Sequence, residues 1–193
     1  MLLLHVSDIH FRLDYGGNPF TKRLLDEQIN PTRHLMRLLE GAKGLNPDGI
    51  LCTGDLVHRG GTEDYLALNR LFDQFFPSVP FLCSLGNHDN KAAFFQANQL
   101  SENRFYSTMV ALGNYRIVSL DSGVYLEHDG LIDEEQFSWF KQLPAAGGQT
   151  KTLLLVHHPL TWHDGPQLSM PAGYLHRTCS SQRRPSHLLR AQT

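Results

Sequence analysis

Along the first half of the chain, short apolar runs alternate with longer stretches in which apolar residues recur at helical spacing. Leu2 to Val6 reads as a buried strand. Pro31 to Leu45 predicts a helix, with Leu35, Met36, Leu38, Leu39 and Ala42 as its apolar positions. Gly49 to Thr53 is a second strand, and Thr62 to Phe76 a second helix with Thr62 as its cap and Tyr65 in its first turn. Val79 to Ser84 is a third strand. Strand, helix, strand, helix, strand calls for right-handed crossovers feeding a parallel sheet, so this half is expected to be α/β. Phe72, Phe75 and Phe76 sit at helical spacing and are read as core or interface residues.

After Asn90 the pattern changes. Phe105 to Ala111 and Tyr115 to Leu120 read as paired strands joined by turn residues at Gly113-Asn114. Asp133 to Leu143 predicts an amphipathic helix presenting Phe137 and Phe140, with Trp139 beside them, and Thr152 to Val156 another buried strand. Beyond Asp164 there is no acidic residue, while Arg177, Arg183, Arg184 and Arg190 accumulate among Ser, Pro and Gln. The expectation is a domain over residues 1–163, incomplete at its C-terminal end, followed by an irregular basic tail over 164–193.

Composition narrows the classes. With 193 residues the chain is long enough for one α/β domain, and 41% hydrophobic residues exclude a disordered or membrane-embedded chain. Lys plus Arg is 17 and Asp plus Glu is 19, so the formal charge of -2 offers no attraction to nucleic acid or a membrane surface. The apolar run at Met1 is too short for a signal peptide and nothing later could span a bilayer, which predicts a cytoplasmic protein. Cys52, Cys83 and Cys179 lack metal-ligand spacing, and the first two, inside apolar strands, are expected to be buried free thiols.

Four strands run straight into side chains that bind metals. The first is followed by Ser7-Asp8-Ile9-His10, the second by Gly54-Asp55, the third by Gly86-Asn87-His88-Asp89, and the last by His157-His158-Pro159. The carboxyl ends of parallel strands share one edge of an open α/β sheet, so these distant segments converge. Asp8 and His10, two apart, reach one side of an extended turn. Asp55 offers a carboxylate able to bridge two ions, Asn87 a neutral oxygen and His157 an imidazole nitrogen. Oxygen and nitrogen donors without thiolate suit Mn, Fe, Zn or Co. Two such ions roughly 3.5–4 Å apart activate a shared water and clamp a phosphoryl oxygen. Any one segment alone is ordinary turn chemistry; four in order, each after a strand, are specific.

These segments resemble the ordered signature of the calcineurin-like metallophosphoesterases, from Met1 to about Trp162. Their order and spacing are most similar to the bacterial class III cyclic-nucleotide phosphodiesterase and glycerophosphodiesterase branch. The resemblance implies a four-layer α/β/β/α sandwich, here lacking its last strands, and two divalent or trivalent ions. Asp8 and His10 would bind the first ion, Asp55 both, and Asn87 and His157 the second. His88 would face the substrate as a phosphate-stabilising group or leaving-group acid, with Asp89 orienting it. A metal-bridging hydroxide would attack phosphorus, and the partner would be a small phosphoester. The family's closing Gly-His-x-His segment has no counterpart: Gly173-Tyr174-Leu175-His176 carries Tyr in place of the first His. The chain is therefore expected to be a truncated or frameshifted member. Readings beside the phosphodiesterase are a phosphomonoesterase or protein phosphatase of the same fold, and a catalytically incomplete fragment.

The remaining polar candidates are weaker. His58 and Arg59, just past Asp55, would meet a substrate phosphate from the rim or else be solvated loop residues. His158 would face substrate or pack behind the ligands. His5, His34, His128, His163 and His187 show no partner pattern and are read as surface or packing residues, and Asp121 as structural. Gly54 and Gly86 would let the backbone approach the ions closely.

Overall fold

The computed structural model of the chain describes residues 1–17, 19–26, 29–145, 147–159 and 168–169. In chain order its elements are β1 (Leu3–Val6), α1 (Pro19–Asp26), α2 (Pro31–Ala42), β2 (Gly49–Thr53), α3 (Thr62–Phe75), β3 (Phe81–Ser84) and α4 (Lys91–Ala97). There follow β4 (Thr108–Leu112), β5 (Tyr115–Ser119), β6 (Gly130–Leu131), α5 (Glu134–Gln142), β7 (Lys151–Leu155) and β8 (Leu168–Ser169). Strands β1, β2 and β3 form a parallel sheet in that order, as the crossover pattern predicts. A second sheet joins β4 to β5 antiparallel across Gly113-Asn114, and β5 to β7 parallel.

The strand period of two sorts side chains into three apolar clusters, which define the layers. Ile50 and Cys52 of β2 face Leu35, Leu39, Tyr65, Leu68, Phe72 and Phe94 from α2, α3 and α4. Leu51, between them in sequence, faces the other way and meets Ile117 of β5 and Leu155 of β7. Val118 of β5 turns outward again, onto Ile132 and Phe137 beneath α5. The order is helices, sheet, sheet, helix, which is the expected α/β/β/α sandwich. Cys52 and Cys83 stand opposite each other in the β2–β3 register, both buried free thiols as expected. No helix among the described residues is long and apolar enough to cross a membrane.

Several boundaries differ from the expectation. Helix α2 stops at Ala42, and Lys43–Leu45 tighten into a 3₁₀ turn ended by Asn46 at φ 47. Gly61 rather than Thr62 caps α3, its amide donating to Asp64 at 2.9 Å, while Thr62 Oγ1 donates to Gln96 of α4 at 2.8 Å. Helices α1 and α4 were not expected; α4 is only seven residues, started by Asn90, whose side chain accepts from Ala93 N at 3.3 Å. Within the segment expected to be irregular, Leu168–Ser169 pair with β6 in parallel.

Candidate metal centre

The loops after β1 and β2 extend the ladder that precedes them. The amides of Asp8, His10 and Phe11 donate to the carbonyls of Gly54, Asp55 and Leu56 at 3.2, 2.8 and 2.9 Å. Three of these polar residues take left-handed backbone angles, Asp8 at φ 53, His10 at φ 48 and Asp55 at φ 51. For residues bearing a Cβ, that conformation costs roughly 1–3 kcal/mol each. Gly54 shares it at φ +86, and a Cβ there would lie 2.5 Å from the His157 ring. A Cβ on Gly86 would lie 2.6 Å from the Asp55 amide. Both glycines thus let a candidate side chain close in, which is a more specific use of them than backbone approach to an ion.

Asp55 is the centre of the arrangement. It is 3% exposed, and its two oxygens face different imidazoles: Oδ2 lies 3.5 Å from His10 Nε2, and Oδ1 lies 3.7 Å from His157 Nε2. The His88 amide donates to Oδ1 at 3.0 Å. Ligand-type atoms of Asp8, Asp55 and His157 all lie within 4.8 Å of one another. His157 is turned so that Nδ1 meets Thr53 O at 2.8 Å, which leaves Nε2 for the site. The Asn87 amide nitrogen donates to Glu127 O at 2.6 Å, freeing its oxygen. Asp8, Asp55, Asn87, His88, His157 and His158 line a cavity of about 460 Å³ together with His128 and Pro159. The donors are oxygen and nitrogen throughout, the set that borderline divalent ions take, and they fit such ions.

Comparison with known proteins decides the family. The calcineurin-like phosphoesterase profile matches residues 1–183. The chain belongs to the calcineurin-like phosphoesterase family. A cAMP/cGMP dual specificity phosphodiesterase of Mycobacterium tuberculosis is 30% identical over 164 residues, covering 82% of this chain and 49% of that protein. A probable glycerophosphodiester phosphodiesterase of Arcobacter nitrofigilis is 30% identical over 166 residues, covering 82% of this chain and 57% of its own length. A 3',5'-cyclic adenosine monophosphate phosphodiesterase of Pseudomonas aeruginosa is 26% identical, covering 98% of this chain and 74% of that protein. The chain thus spans about half the length of the first two. Among solved structures, a dimetal phosphatase from Danio rerio superimposes with a TM-score of 0.59 at 14% identity, over 82% of this chain and 70% of that one, a likeness of fold.

Against this calcineurin-like frame, several expected roles move. Asp89 does not bond to His88. Its fully buried carboxylate accepts from Leu56 N at 3.2 Å, Val57 N at 3.0 Å, Gly86 N at 2.9 Å and Tyr65 Oη at 2.9 Å, stapling the loops after β2 and β3. Burial pushes this carboxyl up to about 7, opposed by the Gly86, Val57 and Tyr65 hydrogen bonds. His58 is not on the rim: it is 3% exposed, its ring between Phe20 and His88. Arg59 is exposed but does not line the cavity, and its carbonyl accepts from Arg12 at 2.8 Å. His158 lines the cavity while its Nδ1 pairs with Ser122 Oγ at 2.9 Å. His128 is exposed, in keeping with the surface reading, and lines the cavity as well; it sits in a loop without periodicity, so no sequence signal marked that second place. Asp121 is structural, paired with Lys91 at 2.8 Å. Gly173 to His176 lies outside the described residues, as do His163 and His187.

Two predictions arise here. A methyl on Gly86 meets the Asp55 backbone, which cannot give way, whereas one on Gly61 meets nothing within 4 Å. Gly86→Ala is expected to lose about 1–3 kcal/mol of stability and to weaken metal uptake, and Gly61→Ala, a change of N-cap without a clash, about 0.5–1 kcal/mol with metal uptake unchanged. Urea unfolding and Mn²⁺ titration of the two variants check this. The second concerns acid. Burial, then the charges of His88, His10 and Arg59, lower His58 from 6.5 to about 4. The unfolded chain therefore binds the extra proton first. Stability from this group is complete above about 6.5 and lost as pH falls toward 4, with a limiting slope of about 1.4 kcal/mol per pH unit. His58→Phe should flatten that part of a urea-unfolding series run across pH 4–7.

Proposed function

We propose that the chain is a metal-dependent phosphodiesterase for small phosphodiesters, of the cyclic-nucleotide or glycerophosphodiester class that its relatives' names describe. The observation that carries the reading is the Asp55 carboxylate, whose two oxygens each face a different histidine, 3.5 and 3.7 Å away. A carboxylate so placed is suited to join two ions. In this reading Asp8 and His10 hold one ion, Asn87 and His157 the other, and Asp55 both. Bound ions would supply Lewis-acid stabilisation of charge on phosphoryl oxygens and a nucleophile available at neutral pH.

The chain's own contribution beyond holding ions centres on His88. Its ring borders the cavity, and burial lowers its pKa, with Asp55 opposing and His10, Arg59 and His157 adding to the fall. His88 is therefore neutral near pH 7 and carries one ring proton. That proton can be donated as a hydrogen bond to a phosphoryl oxygen or to the departing oxygen, where one well-placed donor is typically worth about 10²–10³-fold. The cavity of about 460 Å³ admits a nucleotide-sized ester.

The test is hydrolysis of bis(p-nitrophenyl) phosphate by metal-stripped protein before and after Mn²⁺ is returned, with p-nitrophenyl phosphate in parallel. Turnover that needs Mn²⁺ and favours the diester supports the proposal. Faster turnover of the monoester would replace it with the phosphomonoesterase reading. A lack of turnover in both would favour the incomplete-fragment reading, whose motivation is the missing Gly-His-x-His segment.

A further inference from the structure

We propose that His58 is a positioning residue that holds the His10 ring in one orientation and one protonation pattern, so that His10 Nε2 is presented to the metal centre. The inference rests on the metal-centre reading above and adds a residue to it.

The His58 ring is immobilised. Its backbone amide donates to Phe11 O at 3.2 Å and its carbonyl accepts from Arg12 at 3.2 Å. Phe20 stacks on the ring at 5.0 Å and 26°, and His88 at 4.6 Å and 23°. From this sandwich Nδ1 reaches His10 Nδ1 at 3.2 Å. Two imidazole nitrogens at that distance share one proton, with one ring donating and the other accepting. The opposite nitrogen of His10, Nε2, points at Asp55 Oδ2 from 3.5 Å, the side on which an ion would sit.

The proton positions then follow in sequence. A ligating Nε2 must be bare, so the His10 proton is on Nδ1 and is donated to His58 Nδ1. His58, now an acceptor at Nδ1, carries its own proton on Nε2, a buried atom with no hydrogen-bond partner among the described residues. A histidine ligand is usually steered through its other nitrogen by a carboxylate or carbonyl. Here an uncharged imidazole takes that place.

Two variants separate acceptor from bulk. His58→Asn puts an amide oxygen close to the old Nδ1 position, whereas His58→Phe keeps the stacked ring and removes the acceptor. In calorimetric Mn²⁺ titration of metal-stripped protein, His58→Phe is expected to bind about 10–100-fold more weakly than the parent, and His58→Asn within about threefold of it. Equal affinity of His58→Phe and the parent, or His58→Asn as weak as His58→Phe, overturns the proposal. If the parent takes up no ion, the metal-centre reading fails by itself. Ring-nitrogen NMR of the metal-free proteins then decides this proposal. One His10 tautomer in the parent and His58→Asn, whichever nitrogen holds the proton without an ion, but a mixture in His58→Phe, supports it. Unchanged His10 populations in His58→Phe overturn it.

Discussion

In the proposed phosphodiesterase, Asp55→Asn is expected to reduce Mn²⁺-dependent diester hydrolysis at least about 10³-fold while leaving the metal-free protein folded. The change keeps the shape of a side chain that is 3% exposed but turns one acceptor oxygen into a donor and removes the negative charge between His10 and His157. An amide cannot offer both oxygens to two ions. The metal-free fold should not suffer, because a buried carboxylate without an ion costs more than the neutral amide that replaces it. Thermal melting separates the two effects. Mn²⁺ at a hundredfold excess over its Kd should stabilise the parent by about 2.7 kcal/mol and the variant hardly at all. A variant that keeps both the Mn²⁺-induced shift and its activity would remove Asp55 from the centre of the site.

Asp89→Ala is expected to have the largest effect on stability. Its carboxylate satisfies the amides of Leu56, Val57 and Gly86 and the Tyr65 hydroxyl, all buried between the loops after β2 and β3. A buried donor left without a partner costs about 1–3 kcal/mol. Stranding this set should remove about 5 kcal/mol, a large part of the 5–15 kcal/mol that holds a domain of ordinary size together. Tyr65→Phe, which removes one of the donors, should cost about 1–2 kcal/mol. Asp89→Asn keeps an acceptor oxygen and should fall between the two alanine and phenylalanine outcomes. Urea midpoints give the ranking, and an Asp89→Ala midpoint close to the parent's would show that the staple holds nothing.

The difference between these two aspartates marks where sequence reading succeeded and where it stopped. The place of Asp55 at a strand end was legible because polar side chains directly follow an apolar strand there, as Asp8 does after β1 and Asn87 after β3. The parallel sheet was legible for the same reason, through strand-length apolar runs separated by helical spacing. The role of Asp89 was not, because three of its four partners, Leu56, Val57 and Tyr65, lie over twenty residues away, and only the fold brings them together. His58 read as a rim or solvated loop residue because it follows Asp55 beyond the strand; its burial depends on Phe20, in a helix of eight residues too short and polar to announce itself. Helix α4 escaped likewise, its seven residues too few to show a helical period.

The candidate residues do not all belong to one sheet. Asp8, Asp55 and Asn87 leave β1, β2 and β3, whereas His157 leaves β7 of the opposing sheet and crosses over to Thr53 O. The sheets are also joined by the apolar contact of Leu51, Ile117 and Leu155, and by Ser119 Oγ of β5, which donates to Cys83 O of β3 at 2.7 Å. An ion gripped by Asp55 and His157 would therefore act as a rivet through both layers, placed at the end of a greasy seam. The sheets could no longer part without first releasing it. Amide hydrogens of β2 and β7 should then exchange more slowly once the rivet is set, and by similar factors, since one opening motion would expose them both.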